Sequence, residues 1–149
     1  MSNSIRVFTA ALAIAGALAL PAIAAPSIAD SAPRVVFQIN DAANASTILR
    51  FVTNYLVSEP GAKVTVVGYA SGIDFMLADA KDARGDPWAI KLEALAGQGV
   101  DFKVCNNTLK SRNLGAEVVA KEATVVPSAV NEIIRLQTRE GYAYFQHVK

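Results

Sequence analysis

From Arg34 onward, short apolar runs alternate with amphipathic stretches. Arg34 to Asn40 (RVVFQIN) is nearly continuously apolar, the pattern of a strand covered on both faces. Asp41 to Asn44 offer turn and cap residues. From Ala45 to Val57, Ile48, Leu49, Val52, Tyr55 and Leu56 share one helical face, and Pro60-Gly61 stop the helix. Lys63 to Tyr69 (KVTVVGY) predicts a second buried strand, Ala70-Ser71-Gly72 a small-residue loop, and Ile73 to Leu77 a short helical turn. Ala78 to Asp86, polar and mixed in charge, predicts an exposed loop. Asp86-Pro87 predicts a cap and first turn for a helix with Trp88, Leu92, Leu95 and Ala96 on its apolar side, closed by Gly97 and Gly99.

Val100 to Cys105 predicts the third strand, with a helix from about Asn107 to Asn113 behind it. Leu114 to Lys121 favours a short helix, and Thr124 to Val126 a brief fourth strand. Pro127-Ser128 opens a helix to Glu140 whose apolar side reads as Val130, Ile133, Ile134 and Gln137, with Gly141 at its end. Tyr142 to His147 alternates like an edge strand. Strands alternating with helices through short loops predict an α/β domain with a mostly parallel sheet. No internal repeat or second domain is visible.

The first residues follow a different pattern. Arg6 precedes an apolar run from Val7 to Leu20, then Pro21 and Ala22-Ile23-Ala24. A basic start, a short hydrophobic run and an A-x-A site describe a secretory signal peptide, residues 1–24, cleaved after Ala24 with Ala25 and Ala29 as alternatives. The run is too short to span a bilayer. A loose leader, 25–33, precedes the domain at 34–149. The expected location is the periplasm, with no membrane attachment after cleavage.

Charge excludes one class of partner. Without Arg6 the chain has 13 basic and 13 acidic residues, scattered and without a basic stripe, so nucleic acid is not an expected partner. The single cysteine and single histidine cannot form the usual metal-ligand cluster, so no metal is expected. No G-x-G-x-x-G and no phosphate-binding G-x-x-x-x-G-K-[ST] occurs, so no nucleotide cofactor is expected. Asn44, Ser46 and Thr47 bear a weak likeness to a flavin-phosphate loop, but they serve as helix-start residues without one.

One stretch, Gln98 to Arg112 (QGVDFKVCNNTLKSR), concentrates the chemistry. Cys105 closes a strand and is followed by Asn106, Asn107 and Thr108, whose side-chain oxygens suit a helix start. A thiol at the positive end of a helix has a lowered pKa and favours the thiolate. A lone cysteine is equally at home as a small buried hydrophobe, and both readings stay open. Ligands of open parallel sheets settle outside the strands' carboxyl ends. Those ends are Asn40-Asp41, Ala70-Ser71-Gly72, Cys105-Asn106-Asn107 and Pro127-Ser128. The candidate set is therefore Cys105 as nucleophile, with Asn40, Ser71, Gly72, Asn106, Asn107, Thr108, Arg112 and Ser128 as binding residues. Ser71 and Ser128 read more simply as turn and cap residues and His147 as a solvated terminal side chain. Arg112, on the cysteine's face, reads as a solvated helix-end arginine or, alternatively, as a group that steers an anionic ligand toward the thiol or helps hold it as thiolate.

The opening VVFQIN, VVGYASGIDFML, the cysteine stretch, VVPSAVNEIIRLQ and the closing GYAYFQ together resemble the DsrE/DsrF-like proteins, over essentially all of Arg34 to Gln146. The family includes sulfur-relay subunits of sulfur oxidation and tRNA thiolation. The resemblance implies a three-layer α/β/α fold with a five-stranded, mainly parallel sheet, often assembled as trimers or hexamers. It also implies a persulfide on the cysteine matching Cys105, and matches Arg112 to a downstream basic residue. Asn113 stands where relay members tend to have glycine, and the signal peptide points to an exported branch. The expected function is an exported protein that binds or carries sulfane sulfur on Cys105 and hands it to a partner, the expected partners being a sulfur donor or acceptor protein. The alternatives are an oligomeric binding module with a structural cysteine, and a flavin-dependent redox enzyme. Tyr142, Tyr144 and Phe145 on the last strand add an expectation of a homo-oligomer.

Overall fold

In the computed structural model, which describes residues 32–147, five strands form one all-parallel sheet. They are β1 (Arg34–Ile39), β2 (Lys63–Gly68), β3 (Asp101–Cys105), β4 (Ala123–Val126) and β5 (Ala143–Gln146), in the order β4-β3-β2-β1-β5. Four α-helices connect them: α1 (Ala45–Ser58), α2 (Trp88–Ala96), α3 (Asn106–Ser111) and α4 (Ala129–Glu140). The predicted class and strand count hold, and the edge run becomes β5, parallel to β1. The expected signal peptide and most of the leader lie outside the described residues. The leader's last residue is not loose, because the Pro33 carbonyl accepts the Lys63 N–H at 2.8 Å and extends the β1–β2 pairing.

The strands' period of two sends alternate residues to two unequal layers. One face packs Val35, Phe37, Ile39, Val64, Val66, Phe102 and Val104 against Ile48, Leu49 and Val52 of α1 and Trp88, Leu92 and Leu95 of α2. The other carries α4, through Ala129, Ile133 and Leu136 on Val36, Val67 and Cys105. The expectation of strands apolar on both faces therefore holds for one face only, since Gln38 and Thr65 are buried under the α4 layer.

Several local expectations change. Ala70 to Met76 is one 3-10 segment rather than a loop and a turn, and Leu114 to Lys121 shortens to a 3-10 turn at Ala116–Val118. Asp86 does not cap α2. Pro87 stands at that position without a side-chain bond. The loop before it is exposed yet tied together by Asp82, whose carboxylate accepts Lys91 Nζ at 2.6 Å and the N–H groups of Arg84 and Asp86. The Lys91 ammonium, helped by those amides, holds the Asp82 carboxyl at about 2.

On α4, Ile133 faces the sheet as expected, but Val130, Ile134 and Gln137 face outward, and Ala129 and Leu136 take their place beside Ile133. The cause lies at its start. Ser128 Oγ caps the Asn131 N–H at 3.4 Å, and the Ala129 N–H points at Cys105, which turns residue 129 inward.

Candidate functional site

The crossovers after β1, β2 and β3 run over the α1–α2 face, whereas that after β4 runs over the opposite face. Leu109 carries α3 into the first layer, and Ala129 carries α4 into the second. The connections leaving β3 and β4 thus part in opposite directions, opening a crevice at the carboxyl ends where such sheets bind ligands. Cys105 pairs with Val126 at that divide. Its place follows from strand alternation: Phe102 and Val104 enter the larger core, so Lys103 and Cys105 face α4.

Cys105 is 5% exposed and is not in a disulfide. Its Sγ accepts the Ala129 N–H at 3.3 Å, the first amide of α4. Burial alone pushes the thiol pKa up. The amides of Ala129, Thr108 and Asn107 and the Thr108 hydroxyl outweigh it, and the thiol lies below its ordinary value. Two helix starts therefore converge on one sulfur. The expected cap by Asn106 is not made: Asn106 is the first residue of α3, and Cys105 occupies the cap position without a side-chain bond. Because the chain turns into the helix at the cysteine itself, backbone amides rather than the Asn106 amide group reach the sulfur.

Above the thiol lies a cleft of about 690 Å³. Of the expected residues, Ser71, Asn107, Thr108, Arg112 and Ser128 line it with Cys105. Asn40, Gly72 and Asn106 do not. Asn40 contributes its carbonyl, which accepts from Ser71 Oγ at 3.3 Å, while Ser71 Oγ also accepts the Ala42 N–H at 3.4 Å. Gly72 is a packing residue: an added Cβ would lie 2.3 Å from the Ile39 carbonyl oxygen. Ser128 is the α4 cap, as expected of its type. His147 meets Phe51 of α1 edge to face at 5.6 Å and is not part of the cleft lining.

Tyr69, Asp74, Ala129 and Val130 line the cleft without having been singled out. Asp74 forms an ion pair with Arg112 across the rim. Its signal in the sequence was a lone carboxylate inside the apolar GIDFM segment. Thr108 Oγ1 accepts the Ala70 N–H at 3.1 Å, tying the 3-10 segment to α3. Ala70 itself adopts φ 50°, a left-handed conformation uncommon for alanine. A larger cavity of about 900 Å³ lies beside Phe75, Trp88 and Leu114 and shares Asp74, but Cys105 is not in its lining.

The model of the DsrE/DsrF-like family matches residues 23–147. The chain belongs to the DsrE/DsrF-like family. Two solved structures share the fold. A protein of unknown function, MTH1491 from Methanobacterium thermoautotrophicum, is 29% identical at a TM-score of 0.70, over 77% of this chain and 99% of that one. The ychN protein of E. coli is 15% identical at a TM-score of 0.62, over 76% and 99%. No curated protein matches the sequence. Within this DsrE/DsrF-like domain the two positions singled out by the resemblance, Cys105 and Arg112, border one cleft. Asn113, where relay members tend to have glycine, adopts φ 54°, a conformation asparagine tolerates better than most side chains.

Proposed function

We propose that this DsrE/DsrF-like protein carries sulfane sulfur as a persulfide on Cys105. The observation that carries the reading is the Ala129 N–H donated to Sγ at 3.3 Å, in the crevice between β3 and β4. With the amides of α3 it favours the anion, which is the attacking form. Loading from thiosulfate moves one sulfur: the thiolate forms an S–S bond to the outer sulfur, the sulfur–sulfur bond of thiosulfate breaks, and sulfite leaves with the electron pair. Unloading reverses the polarity of roles. An acceptor thiolate attacks the terminal sulfur and Cys105 leaves as thiolate.

The reading is tested by incubating the protein with thiosulfate or polysulfide and measuring intact mass. A gain of about 32 Da per sulfur, removed by reductant and absent in Cys105→Ser, is expected. Burial of Cys105 favours the rival reading, a binding module with a structural thiol. No added sulfur, together with iodoacetamide labelling only above about pH 9, would establish that rival.

The reading extends to export and assembly. Residues 1–24 act as a cleaved signal peptide in this proposal, placing the protein in the periplasm with its sulfur donor or acceptor. A homo-oligomer, trimeric or hexameric, is supported by the exposed apolar side chains Val130, Ile134, Tyr144 and Phe145 along α4 and β5. Light scattering at tens of micromolar that finds monomer alone would reject assembly, and a periplasmic product of full-length mass would reject cleavage.

A further inference from the structure

We infer that Asp74 decides which sulfur donors reach Cys105, acting as a displaceable counter-ion of Arg112 that yields to small multivalent anions; the inference rests on the sulfur-carrier reading of the same site. Arg112 and Asp74 both border the thiol cleft, and they are the charged side chains in its lining. Among the described residues the guanidinium meets one acceptor, Asp74, through Nη1, leaving its other N–H groups free to take an anion. The two side chains are 39% and 40% exposed. An ion pair so placed is worth at most about 1 kcal/mol, so an incoming anion can exchange with the carboxylate.

The need for that exchange is electrostatic. A thiosulfate or polysulfide dianion approaching a thiolate is repelled, and a guanidinium at the rim offsets the repulsion. While Asp74 remains paired, the rim is close to neutral and the offset is small. A ligand whose oxygens or sulfurs span the planar guanidinium fork replaces the carboxylate and recovers the positive charge. A monovalent anion brings no more charge than the Asp74 carboxylate it would replace, so it gains little by the exchange and the pair stays closed. Asp74 also borders the neighbouring 900 Å³ cavity, so the released carboxylate has space to turn into. The 3-10 segment holds its place meanwhile, because Thr108 Oγ1 bonds the Ala70 N–H independently of the ion pair.

The experiment compares alkylation of Cys105 by an anionic and a neutral reagent of similar size, iodoacetate and iodoacetamide, at low salt. The readout is the ratio of the two rate constants in wild type, Asp74→Asn and Arg112→Gln. Asp74→Asn is expected to raise the ratio about fivefold and Arg112→Gln to lower it by a similar factor, the scale of one unit charge near a solvated site. Asp74→Asn is also expected to lower the thiosulfate concentration that half-saturates sulfur loading. A merely structural ion pair would alter both reagents alike and leave the ratio unchanged. A ratio that stays within about twofold in both variants, or that falls in Asp74→Asn as it does in Arg112→Gln, overturns the inference while leaving the sulfur-carrier reading standing. A wild-type Cys105 inert to both reagents overturns the two together.

Discussion

The two faces of the sheet come from the same strands and are built from different chemistry. Toward α1 and α2 the strands present valine, isoleucine and phenylalanine, and the layer closes with Phe75 and Trp88 in an edge-to-face pair at 5.6 Å. Toward α4 they present Gln38, Thr65 and Lys103 among Val36, Val67 and Cys105. Polar partners fill that layer. Gln38 Nε2 donates to the Tyr69 hydroxyl at 2.7 Å, Tyr144 donates to Gln38, and Arg135 pairs with Glu132 at 2.8 Å and with Glu140. The first face supplies apolar burial, worth about 1.5–3 kcal/mol per large side chain. The second supplies directed hydrogen bonds, and those fix where a sulfur, an amide and a hydroxyl stand relative to one another. A thiol buried in the first layer would have met carbon alone and been pushed toward neutrality; in the second it meets N–H groups.

The largest expected effect tests this division on a single strand. Phe102 and Cys105 are three residues apart on β3 and face opposite layers. Phe102→Ala leaves a cavity in the large core and is expected to cost about 3–5 kcal/mol in urea unfolding. Cys105→Ser, nearly equal in volume and with an oxygen able to take the Ala129 N–H, is expected to cost less than about 2 kcal/mol while abolishing sulfur loading. Equal losses of stability would mean that the α4 layer carries as much of the fold as the other.

A smaller effect sharpens the link between α4 and the thiol. Ser128→Ala removes the cap that sets the helix's phase and is expected to cost about 1 kcal/mol. The same change loosens the Ala129 amide from Sγ, so the pH midpoint of iodoacetamide labelling is expected to move up. An unmoved midpoint would assign the thiolate's stabilisation to α3 alone.

The pH dependence of stability follows from the same bond. The thiol's pKa is lower in the folded protein than in the unfolded chain, so above the folded pKa the unfolded state binds more protons. Stability referenced to Cys105→Ser is therefore expected to rise with pH through the folded pKa and level off near the unfolded value, about 8.5. It is lost again as pH falls. A flat difference between pH 5 and 9 in paired urea titrations would contradict a thiolate held by these amides.

What was legible in the sequence follows the same division. The apolar runs and the 48–49–52 and 88–92–95 spacings located the strands, α1 and α2, because hydrophobic periodicity is a local signal of burial. On α4 the periodicity marks Ile133 correctly but not the rest of the face, because Val130 and Ile134 are apolar yet exposed, and the deciding contact, Ala129 N–H to Cys105, joins residues 24 apart. The place of Cys105 between a strand and a helix start is legible, as is the Thr108 hydroxyl beside it, but the other groups that reach the sulfur are backbone amides, which no residue type announces. Asn106 looked like the cap because its side chain is the kind that caps. Asp74 gains its meaning only from Arg112, 38 residues away, a distance that no local pattern spans.

The smallest expected effect concerns Ala70, where the two layers meet at the end of β2. Its φ of 50° lies in the left-handed region, which disfavours a Cβ by about 1 kcal/mol. Glycine adopts that conformation freely but loses more freedom on folding, by about 0.5–1 kcal/mol relative to alanine. The two terms nearly cancel, and Ala70→Gly is expected to shift stability by no more than about 0.5 kcal/mol. A chemical readout separates what the strain does from what it costs. The N–H of Ala70 is the group that Thr108 Oγ1 accepts, and the Thr108 hydroxyl is one of the groups that lowers the Cys105 pKa. If the alanine's backbone holds Thr108 in place, Ala70→Gly frees the hydroxyl and raises the pH midpoint of labelling although stability barely moves. If both the midpoint and the stability stay where they are, the left-handed turn only routes the chain from β2 into the 3-10 segment, and the thiol owes nothing to it.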